Sequence, residues 1–262
     1  VRSLAADSFR ICTIGGALLV TFLLVAAIAA LFLVPDISDV RANLLSAEMR
    51  YSLKLSLVTG ILSTLLVMVF AMPIGFALSR FDFPFKGLVK TILDLPIAFP
   101  ELVLGLCLLL LFGSTFVGSL FKALGLQFVF TKQGIVVAQF FTALPYASRI
   151  LKSTFDYIDP KLEFVSRSLG YSIWETFRNV SLPLAKNGIL AATVISFARC
   201  IGTFGTVLIL AGGTYMKTEV LPMTLYLNIS YGNMGMALTS GIVLTVVSFV
   251  AIYFFERAEV GL

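Results

Sequence analysis

The sequence predicts an all-α integral membrane protein with six transmembrane helices, and three observations carry that class. Apolar residues make up 59% of the chain and charged residues only 13%, with a mean hydropathy of +1.01, whereas a soluble domain is about half apolar and about a quarter charged. Six apolar stretches, at 11–34, 53–79, 88–112, 134–150, 188–211 and 238–255, are long enough to cross a hydrocarbon core of about 30 Å at about 1.5 Å per residue. The basic residues between them are unevenly shared. Arg2, Arg10, Arg80, Lys86, Lys90, Arg149, Lys152, Lys161, Arg167, Arg178, Lys186 and Arg257 fall on one side, against Arg41, Arg50, Lys54, Lys122, Lys132 and Lys217 on the other. The positive-inside rule then places both termini and the long 151–187 connection in the cytoplasm of a multi-pass protein of the plasma membrane.

Taken in order, the first stretch follows Arg2 and Arg10 and is far longer than the apolar region of a cleavable signal, so it reads as a retained anchor. The chain opens on Val1, and leading residues are expected before it. The second and third stretches are joined by the tight polar turn Arg-Phe-Asp-Phe-Pro-Phe-Lys-Gly at 80–87. The fourth is the shortest and contains Pro145. Discarding it would leave five spans, move the long connection outside and spoil the charge asymmetry, so six is preferred. Pro73, Pro96, Pro100, Pro145 and Pro183 punctuate the apolar runs. Such breaks are tolerated where neighbouring helices or a water-lined cavity pair the freed backbone groups, and Pro is also commoner in membrane helices generally; both readings stay open.

Several functions are excluded. Without histidine the chain cannot build a His-rich zinc site, an imidazole base or a Ser-His-Asp triad. Cys12, Cys107 and Cys200 lie in apolar runs without metal-ligand spacing and read as small hydrophobes. The net charge of +5 is scattered between spans instead of forming a stripe, which argues against nucleic acid. No G-x-x-x-x-G-K-[ST] phosphate loop is present, so any ATP and its Mg²⁺ belong to another chain. The chain is expected to be non-catalytic and to carry no cofactor or metal.

The long connection carries its own fold signals. Asp159-Pro160 starts a helix, the first residue capping free N–H groups and the second standing where its missing donor costs nothing. That helix presents Leu162, Val165 and Leu169 on one face and stops at Gly170. Ser172-Ile173-Trp174-Glu175 is a capping box for a second short helix with Ile173, Trp174, Phe177 and Val180 on its apolar face, ended by Leu182-Pro183. Exposed apolar residues on such a knob need a cover. A partner's groove, the membrane surface and the chain's own bundle are the candidates.

These residues carry a resemblance. Glu163, Arg167, Leu169-Gly170, nine further residues and then Val180-Ser181-Leu182-Pro183 resemble the EAA loop of permease subunits in binding-protein-dependent ABC importers, with Phe164-Val165-Ser166 where that family has Glu-Ala-Ala. Leu55-Ser56, Ser63-Thr64-Leu65, the 73–80 and 83–86 segments, Asp94-Leu95-Pro96, Pro100, Gly105, Leu124-Gly125, Phe130-Thr131, Gly134, Leu144-Pro145 and Arg149 are similar to the molybdate/tungstate and sulfate branch. So is Phe-Ala-Arg-Cys-Ile-Gly-Thr-Phe-Gly-Thr at 197–206, where Thr203 replaces the usual Glu.

The resemblance implies a type I ABC importer permease (MetI-like) fold. It would comprise an N-terminal segment with the first span at 1–50, a transmembrane core at 51–256 with its EAA-like coupling loop at 156–183, and a tail at 257–262. It implies two copies of this chain, two ATPase subunits, an extracytoplasmic oxyanion-binding protein, and docking of the ATPase through Glu163, Phe164, Val165, Ser166, Arg167, Leu169, Gly170, Trp174, Phe177, Leu182 and Pro183. The gate would be built by Pro96, Pro100, Glu101, Arg199, Gly202, Thr203, Phe204 and Gly205.

Arg199 lies about 16 Å along its helix from Gly188 at about 1.5 Å per residue. An unpaired charge at that depth costs on the order of 2.5–3.5 kcal/mol, so it is expected to face the bundle or the pore. An oxyanion, or Asp94, Glu101 or a carbonyl, would each satisfy it. Thr193, Ser196, Thr203 and Thr206 can donate to an anion or bond their own helix. Import of molybdate or tungstate is the leading reading, and sulfate or thiosulfate the next. An ion-coupled secondary transporter would show inverted repeats and intramembrane carboxylates, and a purely structural subunit would show neither broken helices nor a docking loop.

Overall fold

Lipid cannot hydrogen-bond a peptide group, so a chain this apolar has to pair its backbone internally, and the computed structural model is helical throughout its regular structure. It describes residues 2–260, with side-chain surroundings for residues 9–253. The helices run α1 Arg2–Leu33, α2 Ile37–Leu44, α3 Ala47–Arg80, α4 Lys86–Ala98, α5 Glu101–Ser114, α6 Phe116–Ala123 and α7 Lys132–Tyr157. The order continues with α8 Pro160–Ser168, α9 Ile173–Thr176, a π turn at Phe177–Ser181, α10 Leu182–Leu184, α11 Lys186–Gly202, α12 Gly205–Ala211, α13 Leu221–Ser230 and α14 Met234–Val260. The tail expected at 257–262 is helical to Val260, and residues 261–262 lie outside the described ones.

Among the described residues four helices are long and apolar enough to cross a membrane, at Phe9–Leu33, Ala47–Arg80, Lys132–Tyr157 and Met234–Tyr253, and two bent pairs, Lys86–Ala98 with Glu101–Ser114 and Ile173–Leu184 with Lys186–Gly202, raise the number to six if each pair counts as one span. The third apolar run is therefore no straight span: α4 and α5 meet at 117°. The fifth run also breaks, since Thr203 and Phe204 interrupt it between α11 and α12. The short fourth run becomes a full 26-residue helix, α7, because Thr131 caps it by accepting the Gly134 N–H at 3.2 Å.

The core forms where α3, α7 and α11 pack together, and it is built largely from small side chains. Ala71, Ala143, Ala147, Ala185, Ala192 and Cys200 are all buried there beside Val67, Leu151 and Phe155. Without a hydrophobic force between helices in lipid, close backbone approach supplies the attraction. Gly75 is the tightest point of the α3–α7 contact: a Cβ there would lie 2.8 Å from the Leu151 Cβ and 3.0 Å from the Lys152 amide nitrogen. A second cluster, with Leu104, Leu108, Ile135, Val207, Leu210 and Met223, packs α5, α7 and α12 together. By contrast α1 stands at the periphery with none of its apolar window buried, leaving its cover to lipid.

Gly75→Leu is expected to destabilise the bundle by about 1–3 kcal/mol, the ordinary cost of overpacking, and to lower its melting temperature in detergent. Gly87→Ala has open space around the added atom and is expected to leave it unchanged.

Candidate functional site

The two broken runs meet. Pro100 precedes α5, accepting the Val103 N–H at 2.9 Å while having no donor of its own to leave unpaired. The next residue, Glu101, reaches across to the start of α12, where its Oε2 accepts the N–H groups of Phe204 at 3.2 Å and Gly205 at 2.9 Å. A carboxylate is suited to these unpaired donors at a helix N-terminus. Gly205 allows the approach, since a Cβ there would stand 2.9 Å from the Glu101 Cβ. Thr206 adds a bond from its hydroxyl to the Glu101 carbonyl at 3.0 Å.

Of the residues expected at the gate, Pro100, Glu101, Phe204 and Gly205 are thus brought together. Gly202 and Phe204 line an open, mostly apolar cavity of about 650 Å³ with Tyr226, Leu244 and Phe249. Pro96 lies in α4, whose neighbour is α7.

Neither carboxylate proposed for Arg199 pairs with it: the ion pairs among the described residues are Arg80–Glu163, Lys86–Asp82 and Lys152–Asp156. Its partner is Tyr146 on α7, hydrogen-bonded through the phenol and stacked with the guanidinium carbon 4.2 Å from the ring centroid. That contact leaves the head group's charge uncancelled and exposed on this chain. The four hydroxyls are already occupied: Thr193, Ser196 and Thr203 donate to the carbonyls of Ile189, Ala192 and Arg199 at 2.8, 2.6 and 2.6 Å, and Thr206 to Glu101. Tyr146 was invisible to sequence reasoning because only the packing of α7 on α11 brings it to Arg199.

The hairpin that begins at Asp159 starts as its sequence dictates. Asp159 accepts the Lys161 N–H at 2.9 Å, Pro160 opens α8, and Gly170 at φ +95° turns the chain where a side chain would be strained. The capping box closes reciprocally, Glu175 N–H to Ser172 Oγ at 3.2 Å and Ser172 N–H to the Glu175 carboxylate at 2.8 Å. Those bonds from Ser172 hold the exposed Glu175 carboxyl below its ordinary pKa.

The expected end and faces of the hairpin are corrected. Leu182-Pro183 does not stop the second helix: the π turn at Phe177–Ser181 carries the chain through Pro183 to Leu184 by inserting an extra residue where the proline ring would crowd the preceding turn. Of the proposed docking residues, Phe177 turns inward, its ring 4.7 Å from that of Phe76. Ser166 is buried against the Thr176 hydroxyl at 3.0 Å, and Glu163 is held by Arg80. These three belong to the hairpin's own attachment. Phe164, Leu169 and Trp174 are 73%, 75% and 66% exposed, with Val165, Arg167, Gly170 and Pro183 also at the surface and Leu182 half-buried.

At the opposite end of the molecule, Glu219 lies in the connection between α12 and α13 and is only 1% exposed. Its Oε2 accepts the Met216 N–H at 3.2 Å, while Oε1 has no hydrogen-bond partner among the described residues. Burial, with the nearby Glu48 charge adding to it and the Met216 N–H opposing it, raises the pKa of Glu219.

The family model described as binding-protein-dependent transport system inner membrane component matches residues 69–259. The chain is 35% identical over 185 residues to a molybdate/tungstate transport system permease protein of Methanocaldococcus jannaschii, 70% of this chain and 71% of that one. It is 31% identical over 193 residues to a probable sulfate transport system permease protein of Chlorokybus atmophyticus, covering 73% and 68%. Among solved structures, a bacterial alginate ABC transporter in complex with a periplasmic protein superposes with a TM-score of 0.77 at 18% identity, covering 96% of this chain and 95% of that one. The MetNI methionine ABC transporter in an inward-facing conformation gives 0.62 at 19%, covering 83% and 99%. At such identity the structural likeness carries the fold alone.

Folded Glu219 keeps its proton to a higher pH than it does in the unfolded chain, so its contribution to stability falls as pH rises from the ordinary carboxylate range through the raised value. Glu219→Gln, which mimics the protonated acid, is expected to flatten that fall when the melting temperature in detergent is followed from about pH 5 to about pH 9. An unchanged slope would contradict the assignment.

Proposed function

This chain belongs to the family of binding-protein-dependent transport system inner membrane components, and on that premise we propose that it translocates an oxyanion, molybdate or tungstate, driven by a separate ATPase. The observation that carries the coupling is the hairpin from Asp159 to Leu184, which keeps Phe164, Leu169 and Trp174 in solvent while its Glu163 is fixed to Arg80 at the end of α3. Large apolar side chains held rigidly in water call for a partner's groove. Both termini and the hairpin lie in the cytoplasm, by the distribution of Lys and Arg.

Two copies of the chain would enclose the path, with two ATPases below and an oxyanion-binding protein outside. Arg199 supports this arrangement: its guanidinium is exposed on the lone protomer, has Tyr146 as its partner among the described residues, and would be costly against lipid. A second copy would close over it and leave a cation facing the path. Nucleotide and Mg²⁺ would be bound by the ATPase alone. The sulfate reading rests on the 31% identity with the sulfate permease relative, and the choice between oxyanions would fall chiefly to the binding protein.

Leu169→Glu with Trp174→Glu is expected to abolish co-purification of the ATPase, while the protein still accumulates in the membrane; retention of the ATPase would discard the docking assignment. In proteoliposomes, molybdate- or tungstate-loaded binding protein is expected to stimulate ATP hydrolysis, and Arg199→Gln to reduce uptake about tenfold or more, the scale of one lost charge-assisted contact. Stimulation by the sulfate-loaded protein alone would transfer the assignment to sulfate.

A further inference from the structure

The inward side of the hairpin holds a junction that docking does not require. Arg80 is the last residue of α3. Its Nε donates to both Glu163 oxygens at 2.9 and 3.0 Å, Nη2 to the Ile158 carbonyl at 2.8 Å, and Nη1 to Ser79 Oγ at 3.1 Å. Glu163 also accepts the Ser181 hydroxyl at 2.8 Å. One guanidinium thereby ties together the end of α3, the cap of α7, α8 and the π turn. The two charged side chains are only 10% and 14% exposed, so water and salt screen them less than a surface pair.

The remaining attachments of the hairpin differ in kind. Phe177 packs its ring on Phe76 and Phe155, and apolar contact is non-directional. The Arg80 bonds fix direction as well as distance. They also act on a long lever: α3 spans about 51 Å at about 1.5 Å per residue, and near its far end Ser56 Oγ accepts the Leu221 N–H at 2.8 Å, two residues from Glu219. A pull on Glu163 therefore has a directional path into α3 and on to the segment that follows the gate.

We propose that Arg80, through Glu163, is the positioning residue that converts displacement of the hairpin into movement of α3. It is a transmission joint and not part of the docking surface. The proposal rests on the ATPase-docking reading above. The pair also turns Glu163 away from a partner: its carboxylate already accepts bonds from Arg80 and Ser181 and is only 14% exposed.

The test uses the full complex in proteoliposomes with its ATPase and loaded binding protein, reading co-purification, ATP hydrolysis and oxyanion uptake separately. Arg80→Gln is expected to keep co-purification and ATP hydrolysis within about twofold, while uptake per ATP falls about tenfold or more, as for loss of one partner of a largely buried pair. Arg80→Lys, which keeps the charge without the fork, is expected to fall between. The exchange of Arg80→Glu with Glu163→Arg is expected to restore at least half of the lost uptake per ATP. Should Arg80→Gln fail to accumulate, Glu163→Gln carries the same expectations. Unchanged uptake per ATP, loss of co-purification in the single variants, or no rescue by the exchange would each overturn the proposal. Failure of the unaltered chain to bind the ATPase would instead strike the docking reading, and the joint with it.

Discussion

A peptide group left unpaired in hydrocarbon costs several kcal/mol, and this fold interrupts two of its six apolar runs. The interruption at Phe99–Pro100 and the one at Thr203–Phe204 are tolerable because they are closed on each other through Glu101. One carboxylate pairs two orphaned N–H groups, and its own carbonyl takes a third donor. Gly205 and Gly105 let the helices come close enough for this, since a Cβ at Gly105 would meet the Thr206 Cα at 3.0 Å. Broken helices are places where a bundle can bend without losing its hydrogen bonds. The element most constrained by lipid is thus also the one best placed to move.

At the hairpin end the logic is reversed. There water is available, yet the hairpin turns polar residues inward and leaves Phe164, Leu169 and Trp174 outside. A domain folding for itself would do the opposite. Glu163 with Arg80 gives the hairpin a directional anchorage, Ser166 with Thr176 and Glu163 with Ser181 tie its own segments together, and its apolar exterior is left in water. Between the two ends runs the close packing of α3 and α7, with Gly75 against Leu151.

Much of this could be read from local chemistry. The caps at Asp159 and Ser172 and the turn at Gly170 depend on neighbours a few residues apart and are found as expected, and four of the six apolar runs are single helices long enough to span. What escaped were contacts between distant segments. Arg80 was visible as one cytoplasmic charge, but its partner lies 83 residues on, and no periodicity links them. Phe177 was assigned to an exterior face by helical spacing, and the π turn that begins there rotates the helix and sends it into the core instead. Arg199 was given carboxylate partners by charge logic, while packing supplied Tyr146. The bends at 99–100 and 203–204 had proline and glycine signals, yet hydropathy alone could not distinguish a bent run from a straight one.

The account depends on the hairpin lying on the side where ATP is hydrolysed and being covered there. A single cysteine at position 169, in a chain with Cys12, Cys107 and Cys200 replaced, measures both when challenged with a membrane-impermeant thiol reagent. The account predicts labelling in inside-out vesicles only, and a slower reaction once the ATPase is added. Labelling from the outer face, or a rate indifferent to the ATPase, would contradict it.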